Sequence, residues 1–277
     1  AAFIPPKMRG ILTFRARIFE AIRDFSSLVG RIKPSFRKCL KRSSVVLAAN
    51  KETLTFLKTF GCETPHYQVP SAFLPEEKIA RFREIPRPAI QEDQPLQLFA
   101  GGNIEGRKGV SLALKALAIV KERGIPFHYT VAGGGPDLPN LRKMAKVLGI
   151  APNVTFHPGF QGREFLDRLK RSEIYLLPSF RETTPVTLLE ASLAGCYPIV
   201  ADTSAAGEIA RLVGGVAVAV ISPAQLIADL ASEIINAYRS RTQLPIWGAE
   251  ISENVAELYS EKTYHVGIEA AYREAAR

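Results

Sequence analysis

From Leu96 onward the chain alternates short apolar runs with amphipathic stretches, and few folds accommodate that order. The runs Leu96–Ala100, Phe127–Ala132, Val154–His157, Ile174–Leu177, Tyr197–Ala201 and Val216–Val220 have strand length and little polar interruption. Between them, Val110–Arg123, Leu138–Leu148, Gly162–Lys170 and Pro185–Ala194 carry apolar residues at helical spacing. Gly124, Gly149 and Gly195 follow three of these stretches, where a left-handed residue ends a helix. Strand, helix, strand in repetition predicts an α/β fold: a Rossmann-like parallel sheet with helices on both faces.

The first third reads differently. Ser44–Ala49 is a strand, Asn50–Phe60 a helix capped by Asn50 and stopped by Gly61, and His66–Val69 a second short strand. From Pro70 to Pro95, prolines and charges follow without periodicity, which reads as a linker. After Ser240 only helical patterns return, Trp247–Tyr259 and Lys262–Ala276. The expected organisation is therefore residues 1–70 as the tail of an N-terminal α/β domain, 71–95 as a linker, 96–240 as the Rossmann-like domain and 241–277 as closing helices.

Charge is distributed unevenly. The net charge of +9 comes from residues 1–42, where eleven Lys and Arg side chains stand against only Glu20 and Asp24; the remainder is neutral overall. Ile11, Phe14, Ile18, Ile22, Phe25, Val29 and Ile32 add an apolar stripe at helical spacing. Such a helix packs on a neighbouring domain with its basic face in water, or lies on an anionic membrane surface. Nucleic acid is not expected, since no aromatic stacking platform accompanies the charge. The longest uncharged stretch, Leu212–Ala228, holds Pro223 and two glycines and falls short of the ~20 apolar residues of a span. Three scattered cysteines and four scattered histidines offer neither a disulfide framework nor a metal motif. A cytoplasmic protein is expected, with a peripheral contact at the inner membrane face.

Ligands of open parallel sheets bind beyond the carboxyl ends of the strands, and three strand-to-helix junctions there combine glycine with charge. Gly101 to Gly109 holds Gly102, Asn103, Arg107 and Lys108 before a helix; it is not a P-loop, because Gly109 follows the lysine. Gly133-Gly134-Gly135-Pro136 lacks the third glycine of a dinucleotide fingerprint, since Leu138 stands there, and serves equally as a structural turn. The third junction runs from Pro178 through Glu182 and Pro185 to Glu190. A carboxylate at 190, inside an otherwise apolar helix, needs a basic partner or a hydroxyl-rich ligand.

Glu182 and Glu190 give the spacing E-x7-E within SFRETTPVTLLEASLAGCYPIVAD. With GGNIEGRKG, VAGGGPDLPNLRKMAKVLGIAPNVTFHPG and the following Gly207-Glu208-Ile209, that segment closely resembles the retaining nucleotide-sugar glycosyltransferases of group 1. The resemblance covers about residues 44–277. It implies the two-Rossmann, B-type architecture, with a nucleotide-diphosphate sugar held mainly by the C-terminal domain. Lys108 matches the lysine that contacts the donor diphosphate, Glu190 the glutamate on the ribose, and Glu182 the one on the transferred sugar; Lys108 and Glu182 are the implied catalytic residues. Main-chain N–H groups of Val186 and Thr187 would lie near the phosphates, and His157, Gly159 and Phe160 along the base. Gly102, Asn103, Arg107, Gly134 and Gly135 complete the implied donor site.

Asn103 stands where the family often has arginine, and Pro185 where it often has glycine. No DxD motif is present, so a metal-independent mechanism without cofactor is expected, with charge neutralised by cations and helix N-termini. The implied acceptor is a saccharide or a lipid-linked one. Its site lies in the N-terminal domain, of which only the end is expected here, so the chain alone should bind nucleotide and transfer sugar poorly. A non-catalytic sugar-nucleotide subunit and an epimerase or phosphorylase of similar architecture remain open.

Overall fold

The computed structural model describes residues 4–91 and 93–277. The N-terminal part comprises α1 (Phe14–Ile32), α2 (Pro34–Arg42), β1 (Val46–Ala48), α3 (Lys51–Thr59), β2 (His66–Gln68) and α4 (Glu76–Glu84). The following α/β unit runs β3 (Leu96–Gly101), α5 (Val110–Glu122), β4 (Phe127–Ala132), α6 (Leu138–Val147), β5 (Val154–His157), α7 (Gly162–Arg171), β6 (Ile174–Leu177), α8 (Val186–Leu193), β7 (Tyr197–Ala201), α9 (Ser204–Val213), β8 (Val216–Val218) and α10 (Pro223–Arg239). Helices α11 (Leu244–Leu258) and α12 (Glu261–Ala275) close the chain.

Six parallel strands form one sheet in the order β5-β4-β3-β6-β7-β8. Counted from its first strand, this is the doubly wound order, and its direction reverses between β3 and β6. Neighbouring side chains on these two strands go to opposite faces. Leu98, Ile174 and Leu176 enter one core with α5 and α10; Phe99, Tyr175 and Leu177 enter the other with α8, α9 and α11. Both faces are covered, as an all-parallel sheet requires. Gly124, Gly149 and Gly195 adopt φ of 75°, 68° and 85°, in keeping with their positions just beyond α5, α6 and α8.

Several elements differ from the sequence expectation. Segment 71–95 contains α4, whose Ile79 and Phe82 are buried in the second core; prolines on both sides hide a pattern only two turns long. Helices α9 and α10 are additional, and β8 ends at Val218 rather than Val220. Helix α1 inverts the packed arrangement. Its apolar stripe faces outward, with Phe14, Phe25 and Ile32 78%, 68% and 66% exposed, while its two acids, Glu20 and Asp24, are buried.

The N-terminal part is held to the sheet domain by Ile4, Met8 and Leu12 in the first core, by Leu74, Ile79 and Phe82 in the second, and by polar contacts. Asn50 caps α3 by accepting from Thr53 N at 2.9 Å. Glu208, buried on α9, accepts from Lys51 N at 3.0 Å at the start of that helix and from Gln68 Nε2 at 2.6 Å. Where the chain crosses between the two parts, Leu74 N donates to Tyr259 O at 2.8 Å and Glu261 N to Leu74 O at 3.1 Å.

Candidate functional site

The reversal of strand order leaves a crevice at the carboxyl ends of β3 and β6, because the connections leaving these strands run to opposite sides. The loop after β3 supplies Lys108, the loop after β6 supplies Glu182, and the two side chains meet there: Lys108 Nζ donates to Glu182 Oε1 at 2.6 Å. Both are largely withdrawn from water, at 15% and 8% side-chain exposure. Main-chain carbonyls stitch the same loops together. Arg107 O accepts from Phe180 N at 2.8 Å and from Ser179 Oγ at 3.1 Å, while Arg107 Nη1 donates to Arg181 O at 3.0 Å.

Gly102 and Thr187 belong to this cluster. The nearest atom to a side chain built on Gly102 would be Lys108 Nζ, at 3.9 Å, and one on Gly101 would meet the Thr187 methyl at 3.1 Å. Thr187 and Val186 form the first turn of α8, whose N–H groups have no preceding helical carbonyl to pair with. The crevice therefore gathers an ammonium, a carboxylate and a helix start.

The glycines after β4 are explained by backbone proximity. A Cβ at Gly133 would lie 1.9 Å from Gly102 O, and one at Gly135 2.0 Å from Ile104 O, so the second loop is pressed directly on the first. Gly134 faces open space, and its carbonyl accepts from Ile104 N at 2.8 Å.

The remaining candidates are paired within their own loops or with α4. Asn103 Nδ2 and Arg107 Nε both donate to Glu105, the latter at 2.9 Å. His157 and Phe160 stack face to face with centroids 3.9 Å apart, and Gly159 N donates to His157 Nδ1 at 3.2 Å, which folds the loop after β5 on itself. Glu190 finds the basic partner that its apolar helix demanded. Its Oε1 accepts from Lys78 Nζ at 2.6 Å. Burial, and then the charges of Glu182 and Glu190 among others, hold the Tyr175 phenol well above its ordinary value. Tyr175 thus keeps its proton.

Two charged residues that were not singled out from the sequence matter here. Lys78 is hard to read from sequence because its helix is short; the start signal is Pro75-Glu76-Glu77, with Ile79 and Phe82 three apart. Arg181, next to Glu182, pairs with Glu20 at 3.1 Å and with Asp24, which also bind Arg23 and Arg9 at 2.9 and 2.7 Å. The beginning of α1 thereby lies against the glycine loops, enclosing a cavity of about 270 Å³ lined by Ala16, Glu20, Arg107 and Asp137. A more open cleft of about 1010 Å³ lies away from these loops, between α2 and residues 60–65, with Arg37, Lys38, Lys41 and Arg42 on its walls. Among the described residues, no three His, Cys, Asp or Glu side chains are grouped to hold a metal ion, and no helix is long and apolar enough to cross a membrane.

Comparison with known proteins agrees with this geometry. The family described as glycosyl transferases group 1 matches residues 81–245, more than half of the chain. The putative colanic acid biosynthesis glycosyltransferase WcaL of Escherichia coli K12 is 28% identical over 201 residues, which is 67% of this chain and 46% of that protein. The chain thus spans about half the length of this relative. Among solved structures, WaaG, a glycosyltransferase involved in lipopolysaccharide biosynthesis, superposes with a TM-score of 0.61 at 19% identity, covering 88% of this chain and 68% of that one. The pneumococcal O-GlcNAc transferase GtfA in complex with UDP and GlcNAc gives 0.65 at 14% identity, covering 84% and 46%.

Proposed function

Because the chain belongs to the group 1 glycosyl transferases, we propose that it carries the donor-binding part of a retaining, metal-independent glycosyltransferase. Its substrates would be a nucleotide-diphosphate sugar and a saccharide or lipid-linked acceptor of polysaccharide biosynthesis. The observation that carries the reading is the Lys108–Glu182 pair, drawn from two loops across the reversal point of the sheet. The chain's limited span of its relatives supports assigning the acceptor site to sequence outside it.

An ammonium has three donors, and Glu182 uses one, so Lys108 has two for a diphosphate. The first-turn N–H groups of α8 add positive potential beside it. In the proposed transfer the bond from the sugar C1 to the diphosphate oxygen breaks, and the acceptor oxygen bonds to C1 on the same face. The acceptor hydroxyl's proton passes to the leaving phosphate. Charge develops on that phosphate, where Lys108 stabilises it more in the transition state than in the ground state. Glu182 orients the sugar hydroxyls and Glu190 the ribose.

The deciding experiment is calorimetric titration in chelator with UDP, GDP and ADP, repeated on Lys108→Ala. One diphosphate should bind the wild type, and Lys108→Ala should weaken it by ~1.5–3 kcal/mol, the worth of a hydrogen bond to a charged group. The matching nucleoside should be unaffected. Equal loss for nucleoside and diphosphate would remove Lys108 from the phosphate role, and no binding by the wild type would sink the donor-site reading.

Residues 1–42 fit a peripheral contact with an anionic membrane. The outward apolar stripe of α1 and the cationic cleft beside α2 present what such a surface attracts, while both acids of α1 are turned inward. Co-sedimentation with phosphatidylglycerol vesicles, but not with phosphatidylcholine vesicles, is expected. Equal sedimentation with both would remove this contact.

A further inference from the structure

Glu190 is the one ionisable residue of α8, and Leu188, Leu189, Ala191 and Leu193 around it are fully buried. No residue of its own helix is hydrogen-bonded to its carboxylate among the described residues. Among the described residues its hydrogen-bond partner comes from another part of the chain. Lys78 lies on α4, 112 residues away in sequence, and its Nζ reaches Glu190 Oε1 at 2.6 Å. The pair is graded from inside to outside, with 13% of the Glu190 side chain and 37% of the Lys78 side chain exposed. The ammonium therefore approaches from the solvent side, while the carboxylate stays in the protein.

The two oxygens of Glu190 are not equivalent. Oε1 takes the lysine; Oε2 receives no hydrogen bond from a described residue and is not among the buried atoms lacking a partner. One oxygen is tied and the other remains able to accept. A carboxylate held this way presents a lone pair in a set direction, which suits a hydroxyl donor better than a freely rotating side chain does.

Lys78 is itself well anchored. Ile79 and Phe82 are buried in the core shared with α8, and Leu74, just before α4, is bonded to Tyr259 O and Glu261 N. The stem of the lysine thus starts from a fixed platform at the crossing between the two parts of the molecule.

We infer that Lys78 is a positioning residue for the donor site: it holds the Glu190 carboxylate through Oε1 so that Oε2 accepts from the ribose hydroxyls of a nucleoside diphosphate. This inference rests on the donor-site reading above. It extends the site to a helix outside the sheet domain and makes ribose recognition depend on how α4 is seated. It also separates two kinds of lysine: Lys108 faces the phosphates, whereas Lys78 acts through a carboxylate and touches no ligand.

The test is calorimetric titration of the wild type, Lys78→Met and Lys78→Arg with UDP and with 2′,3′-dideoxy-UDP, or with the base that the wild type selects. Lys78→Met should weaken the ribose diphosphate roughly tenfold, within the range expected for a hydrogen bond to a charged group. It should change the dideoxy ligand less than about threefold, and Lys78→Arg should restore most of the loss. Combining Lys78→Met with Glu190→Gln should cost little more than Glu190→Gln alone, because both remove one contact. Equal weakening of both ligands by Lys78→Met would reduce Lys78 to a structural ion pair and overturn the inference, as would undiminished binding of UDP. Failure of the wild type to bind any nucleoside diphosphate would strike the donor-site reading instead, so the two failures are distinguishable.

Discussion

The six-stranded sheet and the segment before it solve the same problem with opposite success. In the sheet, alternate side chains of β3 and β6 enter two separate cores, each roofed by helices. In residues 4–70, β1 and β2 have three residues each and pair only with one another among the described strands, and α1 turns its apolar stripe to solvent. Apolar spacing is a local property and makes a helix in both places. Burial needs a second layer, and α1 has one only on its acidic side, where Glu20 and Asp24 meet Arg181. Helix α1 is thus held to its domain by these ions and by the buried Ile4, Met8 and Leu12 that precede it, while its apolar stripe stays available.

That contrast breaks most sharply under core truncation. Leu176→Ala, fully buried on β6, should cost about 2–5 kcal/mol of unfolding free energy, whereas Ile22→Ala, 60% exposed on α1, should cost under about 0.5 kcal/mol. Urea denaturation measures both. Comparable losses would mean that the α1 stripe is covered in solution.

The seam between the two regions should give an intermediate effect. Glu208→Ala removes the acceptor for Lys51 N and Gln68 Nε2, a loss of about 1–3 kcal/mol. Hydrogen exchange should quicken in α3 while β3 and β6 keep their protection. Uniform acceleration would show that both regions open together, sharpening the picture to one cooperative unit.

The smallest effect is one of pH at Asp137, where the start of α1 meets the second glycine loop. Burial raises this carboxyl above its ordinary value, with Glu105 adding, and the Thr13 hydroxyl and Arg15 opposing. A raised acid binds protons more tightly in the folded state, so the stability that Asp137 contributes when protonated is lost as pH rises through the carboxylate range. Asp137→Asn should flatten that decline in thermal melts taken from pH 4 to 7. An unchanged slope would place the carboxyl in water.

Much of this protein was legible in the order of its residues. All six strands of the main sheet start where the apolar runs start, because a parallel strand buried on both faces must be continuously apolar. The glycine and E-x7-E motifs likewise marked the loops that meet at the crevice. Less legible was anything short or dependent on distant partners: α4 between its prolines, and α9, where a Cβ at Gly207 would lie only 2.9 Å from Asp202 Cα.

What the sequence determined by itself is the alternation of strands and helices, the loops that carry charge at their ends, and the concentration of basic residues in the first 42 positions. Each is written in neighbouring residues, since secondary structure and local charge depend on spacing along the chain. Only the tertiary structure decided that Lys108 meets Glu182, that Lys78 rather than a nearer cation meets Glu190, and that α1 faces its acids inward. These are contacts between residues 74, 112 and about 160 positions apart. Their energies depend on distance and burial in space, which no local pattern encodes.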